Sequence, residues 1–206
     1  MTRSTPLELL IATGNAGKVT EIRPVFAGLP INFRTLIDFP EIQDVEETGS
    51  TYEENAVLKA RAYARQTGLW ALADDSGFEV AALGGAPGVI SARYAGAGAS
   101  DSDRIAFILR QFDRANSDTR SARFVCVAAV ADPSSSIANV EQGICEGLII
   151  DHPRGGNGFG YDPIFVPQGF EQTFAELSPA VKNLISHRAK ALHAMRSFLE
   201  QQVAGG

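Results

Sequence analysis

The chain has few residues of the types that mark zinc proteins and disulfide-stabilised domains. Only two of its 206 residues are cysteine and three are histidine. Cys126 in "RFVCVAAV" and Cys145 in "QGICEGLII" each lie in an apolar, strand-like run, where a thiol packs as a small hydrophobe. The histidines lack the spacing of zinc ligands. The sequence therefore favours core-filling cysteines over a zinc site.

The chain also lacks a long hydrophobic run and an excess of positive charge. No apolar run approaches the roughly 18 residues of a membrane span, and "MTRSTPLELLIATGN" has no apolar stretch long enough for a signal peptide. We therefore expect a cytoplasmic protein without membrane contact. The net charge of −6 argues against binding to polymeric nucleic acid. It does not exclude a small anionic ligand, because local lysines can oppose the overall sign.

A length of 206 residues with 45% hydrophobic composition predicts one domain, residues 1–206, which is bilobed. Helices are predicted from about residue 18 to 27, from Ser50 or Thr51 to a stop at Gly68, from about 101 to 112, and after Ser178. The segment "GGAPGVISARYAGAGASDS" is predicted to be a long surface loop. Strands are predicted in "LELLIA", "INFRTL", "LWALA", "FEVAAL", "ARFVCVAAVAD", "GICEGLIID" and the end of "RGGNGFGYDPIFV". This order indicates a mixed α/β fold.

The segment "TGNAGK", from Thr13 to Lys18, lies where a strand leads into a helix. Backbone N–H groups at such a turn can hold phosphate oxygens, and a lysine adds charge. It is not a P-loop, because only two residues separate Gly14 from Gly17 and Val19 follows the lysine. An ordinary turn at a helix start explains the same residues equally well.

Carboxylates directly after a buried strand are seldom present for stability, so Asp74 and Asp75 of "LADDSG" are candidates for chemistry. Adjacent strand residues point to opposite faces, so only one of the two can face a given cleft, and the other is expected to anchor backbone or a neighbouring side chain. The alternative is a structural turn at "DDSG". Glu46 and Glu47 of "EET" form a second carboxylate pair, for which a hydrated helix cap is the alternative. Carboxylates without His or Cys partners select a hard cation such as Mg²⁺.

Two later segments have polar or aromatic residues that suit a nucleotide. "GGNGFGYDP" contains no dinucleotide-binding glycine pattern, but its Phe159 and Tyr161 can offer a ring to a base; core packing accounts for them equally well. In "AVKNLISHRAKAL", Lys182, His187 and Arg188 lie close in sequence. A solvated basic helix face is the alternative there.

Five ordered segments together give the chain a close resemblance to a known family. They are "ATGNAGK", "EETGSTYEENAVLKAR", "ALADDSGFEVAALGGAPGVISARYAG", "GGNGFGYDPIF" and "AELSPAVKNLISHRAKAL", which span about residues 12 to 192. In these segments the chain resembles the inosine triphosphate pyrophosphatases. That family removes ITP, XTP and their deoxy forms from the nucleotide pool.

The resemblance implies an elongated mixed β-sheet flanked by helices in two lobes with a central nucleotide-binding cleft, usually in a homodimer. It implies hydrolysis of noncanonical purine nucleoside triphosphates to the monophosphate and pyrophosphate, with Mg²⁺ as cofactor. Asp75 matches the catalytic acceptor and metal ligand, and Glu46 the partner ligand. Substrate contacts are implied for Thr13, Gly14, Asn15, Ala16, Gly17, Lys18, Ser76, Phe159, Gly160, Tyr161, Asp162, Lys182, His187 and Arg188, and phosphate or cleft contacts for Lys59 and Arg93.

Two other functions fit the same segments. One is a related pyrophosphatase acting on other triphosphates, such as modified pyrimidine nucleotides. The other is a nucleotide-binding sensor that kept the pocket but not the chemistry. Both carboxylates, Glu46 and Asp75, are present, which argues against the sensor.

Overall fold

The computed structural model describes residues 6–205. The strands are β1 (Leu7–Ile11), β2 (Ile31–Thr35), β3 (Trp70–Val80), β4 (Ser121–Ala131), β5 (Ile137–Ile149) and β6 (Phe165–Pro167). The helices are α1 (Ala16–Val25), α2 (Tyr52–Thr67), α3 (Asp101–Ala115), α4 (Pro179–Ile185) and α5 (His187–Gly205). Short 3-10 helices cover Leu36–Asp38, Ala81–Leu83, Gly88–Arg93 and Asp162–Ile164.

The strands form one six-stranded sheet in the order β2-β1-β3-β4-β5-β6. β1 runs parallel to both β2 and β3, whereas β5 and β6 are antiparallel. With helices between several of the strands, this mixed sheet confirms the predicted α/β class. Within residues 6–205, no helix has the length and apolar character required to cross a membrane.

The chain divides into two compact units. Unit 1 contains the chain up to Asp75, then Cys126–Gly143, then the chain from Arg188; unit 2 contains Ser76–Val125 and Ile144–His187. The single domain over residues 1–206 stays a prediction, and both of its predicted end residues lie outside the described part.

Each unit has its own hydrophobic core. In unit 1, the apolar residues of β1 pack with α1 and α5; Leu9, Ile11, Ile22 and Leu192 are at most 1% exposed. In unit 2, aromatic rings dominate. The rings of Phe124 and Phe165 meet edge to face with centroids 4.9 Å apart, a geometry that the ring quadrupoles favour.

The structure corrects one expectation about β3. "LWALA" and "FEVAAL" are predicted as two strands separated at the aspartates, but β3 is continuous from Trp70 to Val80. Burying Asp74 and Asp75 inside a strand requires cationic partners, and both residues have them. The alternative of a structural turn at "DDSG" is therefore wrong.

Helix α2 begins and ends where the sequence predicts. Thr51 is its N-cap, and the Thr51 and Glu54 side chains exchange hydrogen bonds with each other's backbone N–H groups. Gly68 ends the helix with a φ of 67°, in the left-handed region that glycine adopts without strain. Its buried face includes the polar residues Asn55 and Lys59 beside Ala56, Ala60 and Tyr63.

Candidate functional site

Asp74 is the centre of a buried charge cluster in unit 1. It is 2% exposed, and its Oδ2 accepts hydrogen bonds from Lys18 Nζ at 3.0 Å and from Arg188 Nε at 3.2 Å. The Cys126 thiol also donates to Oδ2, at 3.7 Å. Burial by itself would raise the pKa of Asp74, but the charges of Lys18, Arg188 and Lys59 outweigh it and hold that pKa far below its ordinary value. Asp74 is therefore a permanent anion.

Arg188 connects Asp74 to helix α1. Its guanidinium is buried, with the side chain 2% exposed, and Nη1 forms an ion pair with Glu21, three residues after Lys18 on α1. Burial lowers the pKa of Arg188, but Asp74 and Glu21 more than compensate, so the guanidinium stays charged. Arg188, for which a substrate contact is predicted, thus already forms ion pairs with two carboxylates of unit 1.

Asp75 has a different set of partners in unit 1. Its Oδ1 is 3.4 Å from Lys59 Nζ, and its Oδ2 accepts a hydrogen bond from Asn55 Nδ2 at 3.2 Å. Burial raises the pKa of Asp75; Lys59 opposes this and the charge of Glu47 adds to it, leaving the pKa above its ordinary value. A buried carboxylate with a raised pKa is a better proton acceptor near neutral pH than an ordinary one.

Lys59 joins three groups around Asp75. Its Nζ donates to the backbone carbonyl of Asp74 at 2.8 Å, forms an ion pair with Glu47 at 2.5 Å and approaches Asp75. Burial lowers the pKa of Lys59, but Asp75, Asp74 and Glu47 together raise it above its ordinary value. The ammonium is therefore charged at neutral pH.

Of the "EET" carboxylates, the structure brings Glu47 into this cluster and not Glu46. Glu47 contacts Lys59, whereas Glu46 is exposed and has no hydrogen bond or ion pair within the described residues. The same described residues contain no group of three or more His, Cys, Asp or Glu side chains close enough to hold a metal ion. Glu46 as a metal ligand stays a prediction.

The predicted phosphate-binding turn has an ordinary helix cap inside it. Asn15 is the N-cap of α1, and its Oδ1 accepts hydrogen bonds from the N–H groups of Gly17 at 2.8 Å and Lys18 at 3.3 Å. The N–H of Asn15 donates to Thr13 Oγ1. Gly14 and Ala16 are exposed, and their N–H groups donate to no acceptor within residues 6–205. The N–H groups of Gly14 and Ala16 and the Lys18 ammonium are therefore the groups of this turn that can bind an anion.

The predicted nucleoside-binding segment lies in unit 2 and is mostly structural in its contacts. Tyr161 is 4% exposed, stacks on Phe78 and donates its hydroxyl to the carbonyl of Ser91 at 2.9 Å. Asp162 Oδ2 accepts from the N–H of Phe159 at 2.9 Å and from Lys182 Nζ at 2.5 Å. Core packing thus accounts for Tyr161, as the alternative supposed.

The remaining predicted residues of unit 2 differ in exposure. The Lys182 ammonium lies 4.9 Å from the centroid of the half-buried Phe159 ring, a cation–π distance. His187 is 4% exposed and stacks on Phe124 at 4.7 Å. Of the other predicted residues in unit 2, Gly160 and Ser76 are half-buried and Arg93 is exposed.

Sequence reasoning missed three residues of the unit 1 cluster: Asn55, Glu47 as a partner of Lys59, and Glu21. A signal existed for Asn55, because it shares the apolar face of α2 with Tyr52, Ala56 and Lys59. A polar residue on a buried helix face needs a partner. No local signal marks Glu21, whose partner Arg188 lies 167 positions away.

Comparison with known proteins places the chain in a family. The model of the Ham1 family matches residues 9–198, which include Asp74, Asp75 and every predicted site residue. The chain belongs to the Ham1 family.

Relatives within this family cover nearly the whole chain. It is 50% identical over 198 residues to a dITP/XTP pyrophosphatase of Geobacillus kaustophilus, covering 96% of this chain and 97% of that protein. It is 47% identical over 199 residues to a dITP/XTP pyrophosphatase of Coxiella burnetii, covering 95% and 98%. A solved structure of a HAM1 protein from Coxiella burnetii matches with a TM-score of 0.87 at 46% identity, covering 95% of this chain and 99% of that one.

Proposed function

We propose that this chain hydrolyses the noncanonical purine nucleoside triphosphates ITP, dITP, XTP and dXTP to the monophosphate and pyrophosphate. The observation that carries the proposal is the 50% identity, over 96% of the chain, to a Ham1-family protein named dITP/XTP pyrophosphatase. The unit 1 cluster supports it independently, because it combines one permanently charged carboxylate with a second whose pKa is raised.

Asp75 accepts the proton of the attacking water in this proposal. Water attacks the α phosphorus, the bond from that phosphorus to the oxygen bridging to the β phosphate breaks, and pyrophosphate leaves with the bridging oxygen. The water proton passes to an oxygen of Asp75. Lys59 and Asn55 hold the carboxylate in place, so it loses little freedom when the reaction begins. No covalent intermediate is required.

Lys18 supplies positive charge for the phosphates. The Lys18 side chain is 15% exposed and its ammonium is held by the Asp74 carboxylate, so the charge is fixed in place and still reaches solvent. Charge fixed in this way stabilises charge that develops on a leaving group without a reorganisation cost. Asp74 is thus an anchor for cations, and Asp75 is the reacting carboxylate.

The chemistry of the donors fits Mg²⁺. Carboxylate oxygens without thiolate or imidazole select a hard cation, and Mg²⁺ commonly binds through one or two carboxylates plus substrate phosphates. Asp75 and Glu46 would hold it, and Glu47 beside Lys59 is a further oxygen donor in the same segment. When bound, the ion neutralises charge on the triphosphate.

The resemblance extends the proposal to the rest of the chain. We propose that the predicted residues of unit 2 contact the substrate. We also propose that the chain forms a homodimer and is located in the cytoplasm.

The deciding experiment is a panel of triphosphates assayed with Mg²⁺, with pyrophosphate scored separately from orthophosphate. We expect pyrophosphate from ITP, dITP and XTP and much slower turnover of ATP, dUTP and dTTP. A preference for pyrimidine triphosphates would favour the related pyrophosphatase, and binding without pyrophosphate release would favour a sensor. Orthophosphate as the main product would contradict cleavage between the α and β phosphates.

A further inference from the structure

Asn55 is a fully buried amide whose three hydrogen bonds join two segments of unit 1. It lies in the first turn of α2 and is 0% exposed. Its Oδ1 accepts from the N–H of Gly49 at 2.7 Å, and its Nδ2 donates to the carbonyl of Gly49 at 3.4 Å and to Asp75 Oδ2 at 3.2 Å. Because rotating the amide by half a turn would point its oxygen at a carboxylate, these partners fix its orientation.

Gly49 leaves room for the Asn55 amide because it has no side chain. A Cβ at this position would lie 2.7 Å from Asn55 Oδ1 and 2.7 Å from Glu54 Cβ, closer than real Cβ contacts. The side-chain amide therefore pairs with both backbone groups of a residue that has no side chain. Since Gly49 follows "EET" directly, this pairing ties the segment of Glu46 and Glu47 to Asp75.

Lys59 completes the arrangement from the same helix face. It lies four residues after Asn55, one turn along α2. Asn55 holds Oδ2 of Asp75 and Lys59 faces Oδ1. Two contacts on different oxygens of one carboxylate fix both its position and the plane of its oxygens.

We propose that Asn55 is a positioning residue for the reaction, acting through Asp75. Its amide sets the plane of the Asp75 carboxylate and couples it to the segment that carries Glu46. The inference rests on the proposed function, in which Asp75 takes the proton of water. A neutral donor suits this role, because it orients Oδ2 without neutralising it, and the other lone pairs of the carboxylate keep fixed directions.

The first test is Asn55→Asp, which conserves shape and the acceptor for the Gly49 N–H but removes the donor to Asp75. With ITP as substrate, kcat should fall roughly tenfold to a hundredfold, as expected for a misoriented reacting group, while KM stays within about threefold. A kcat within about threefold of wild type would overturn the inference, as would a raised KM with kcat unchanged.

A second variant, Gly49→Ala, disturbs the same contact from the other side without adding a charge. We expect the same pattern of lowered kcat and preserved KM. Ala60→Gly is the matched control: it weakens α2 at a buried position whose side chain forms no hydrogen bond, so it lowers the melting temperature while kcat stays near wild type. If Asn55→Asp does not fold, Gly49→Ala decides; if Ala60→Gly lowers kcat as much as either variant, Asn55 is merely structural and the inference fails.

The wild-type panel separates this inference from the proposed function. If the wild-type chain releases no pyrophosphate from any triphosphate, the proposed function fails, and the inference fails with it. If the wild type is active and the Asn55 and Gly49 variants keep its kcat, only the positioning role of Asn55 is wrong.

Discussion

Asp74 and Asp75 are neighbours in sequence with opposite electrostatic surroundings. Both are buried, which by itself raises a carboxyl pKa. Asp74 has Lys18 and Arg188 on one oxygen, so its pKa falls, whereas Asp75 has one lysine and a nearby glutamate, so its pKa rises. In the proposed function Asp74 is accordingly an electrostatic anchor and Asp75 the proton acceptor, a division typical of neighbouring groups whose pKa values diverge.

The first prediction concerns Asp75→Asn. The variant keeps the shape of the side chain but removes the proton acceptor and a negative charge, so turnover of ITP should be nearly abolished. The melting temperature should not fall, because the raised pKa of Asp75 means that the folded state disfavours its ionised form. Replacing it with a neutral side chain of the same shape removes that unfavourable charge. A loss of less than about tenfold in kcat, measured by pyrophosphate release, would refute Asp75 as the acceptor.

The second prediction concerns Asp74→Asn, which leaves Lys18 and Arg188 without their shared anion. Breaking a buried ion pair in this way costs about 3–5 kcal/mol in the free energy of unfolding. The lowered pKa of Asp74 sets the pH dependence: the stabilisation is complete above the ordinary value of 3.8 and is lost only as the pH falls from there toward the folded-state pKa.

Urea denaturation at several pH values tests this. The difference between wild type and Asp74→Asn should stay constant between about pH 8 and pH 5 and narrow below about pH 4. A difference that disappears already near pH 6 would show that Asp74 does not have a lowered pKa.

The third prediction concerns Arg188→Ala. The resemblance implies a substrate contact for Arg188; a base-reading role for that contact would make kcat/KM fall more for ITP than for ATP. The contacts of Arg188 with Asp74 and Glu21 favour a different outcome: kcat/KM should fall by the same factor for both substrates, together with a lower melting temperature. A selective loss for ITP would restore the base-reading role.

At the scale of elements, helix α2 carries two of the side chains that hold Asp75, and its cap determines where it starts. Thr51 Oγ1 accepts the N–H of Glu54 at 3.1 Å, and Glu54 accepts the N–H groups of Ser50 and Thr51. This exchange satisfies N–H groups that a helix start otherwise leaves unpaired.

The fourth prediction follows from that cap. Thr51→Ala should lower the free energy of unfolding by about 1 kcal/mol, measured in urea, because it removes the N-cap acceptor. Its kcat should change little, since Asn55 and Lys59 lie in the helix beyond the cap. Thr20→Ala on the exposed face of α1 is the control and should not be destabilising; an equal loss in both variants would contradict a specific capping effect.

At the scale of the whole molecule, the cores of the two units differ in kind. The core of unit 1 is largely aliphatic, with Leu9, Leu72 and Leu192, whereas that of unit 2 is built on Phe78, Phe124 and other aromatic rings. β3 changes unit between Asp75 and Ser76. The side chains that hold the two aspartates, from Lys18, Asn55, Lys59 and Arg188, belong to unit 1 as the aspartates do.

The fifth prediction is a homodimer, which the resemblance implies. Light scattering on a gel-filtered sample should give twice the mass of one chain at micromolar concentrations. A single-chain mass across the concentration range would contradict it, and activity measured in the same fractions shows which form is the enzyme.

The sequence by itself determined the local features of this protein. The Thr51 and Glu54 pair, Gly68 and the Ser178-Pro179 pair predict helix ends that the structure has, because capping depends on residues a few positions apart. The five motifs identified the family for the same reason, since each is a short contiguous segment. Alternation along a strand also predicted that Asp74 and Asp75 point to different faces.

Only the tertiary structure decided which partners those faces meet. Asp74 meets Arg188 from 114 positions away, and Arg188 meets Glu21 from 167 positions away. Asn55, predicted as neither a core nor a site residue, lies between Gly49 and Asp75. These contacts exist because the chain path brings β3, α1, α2 and α5 together in unit 1. Buried polar groups take their partners from whatever the path places beside them, and no local pattern encodes that choice.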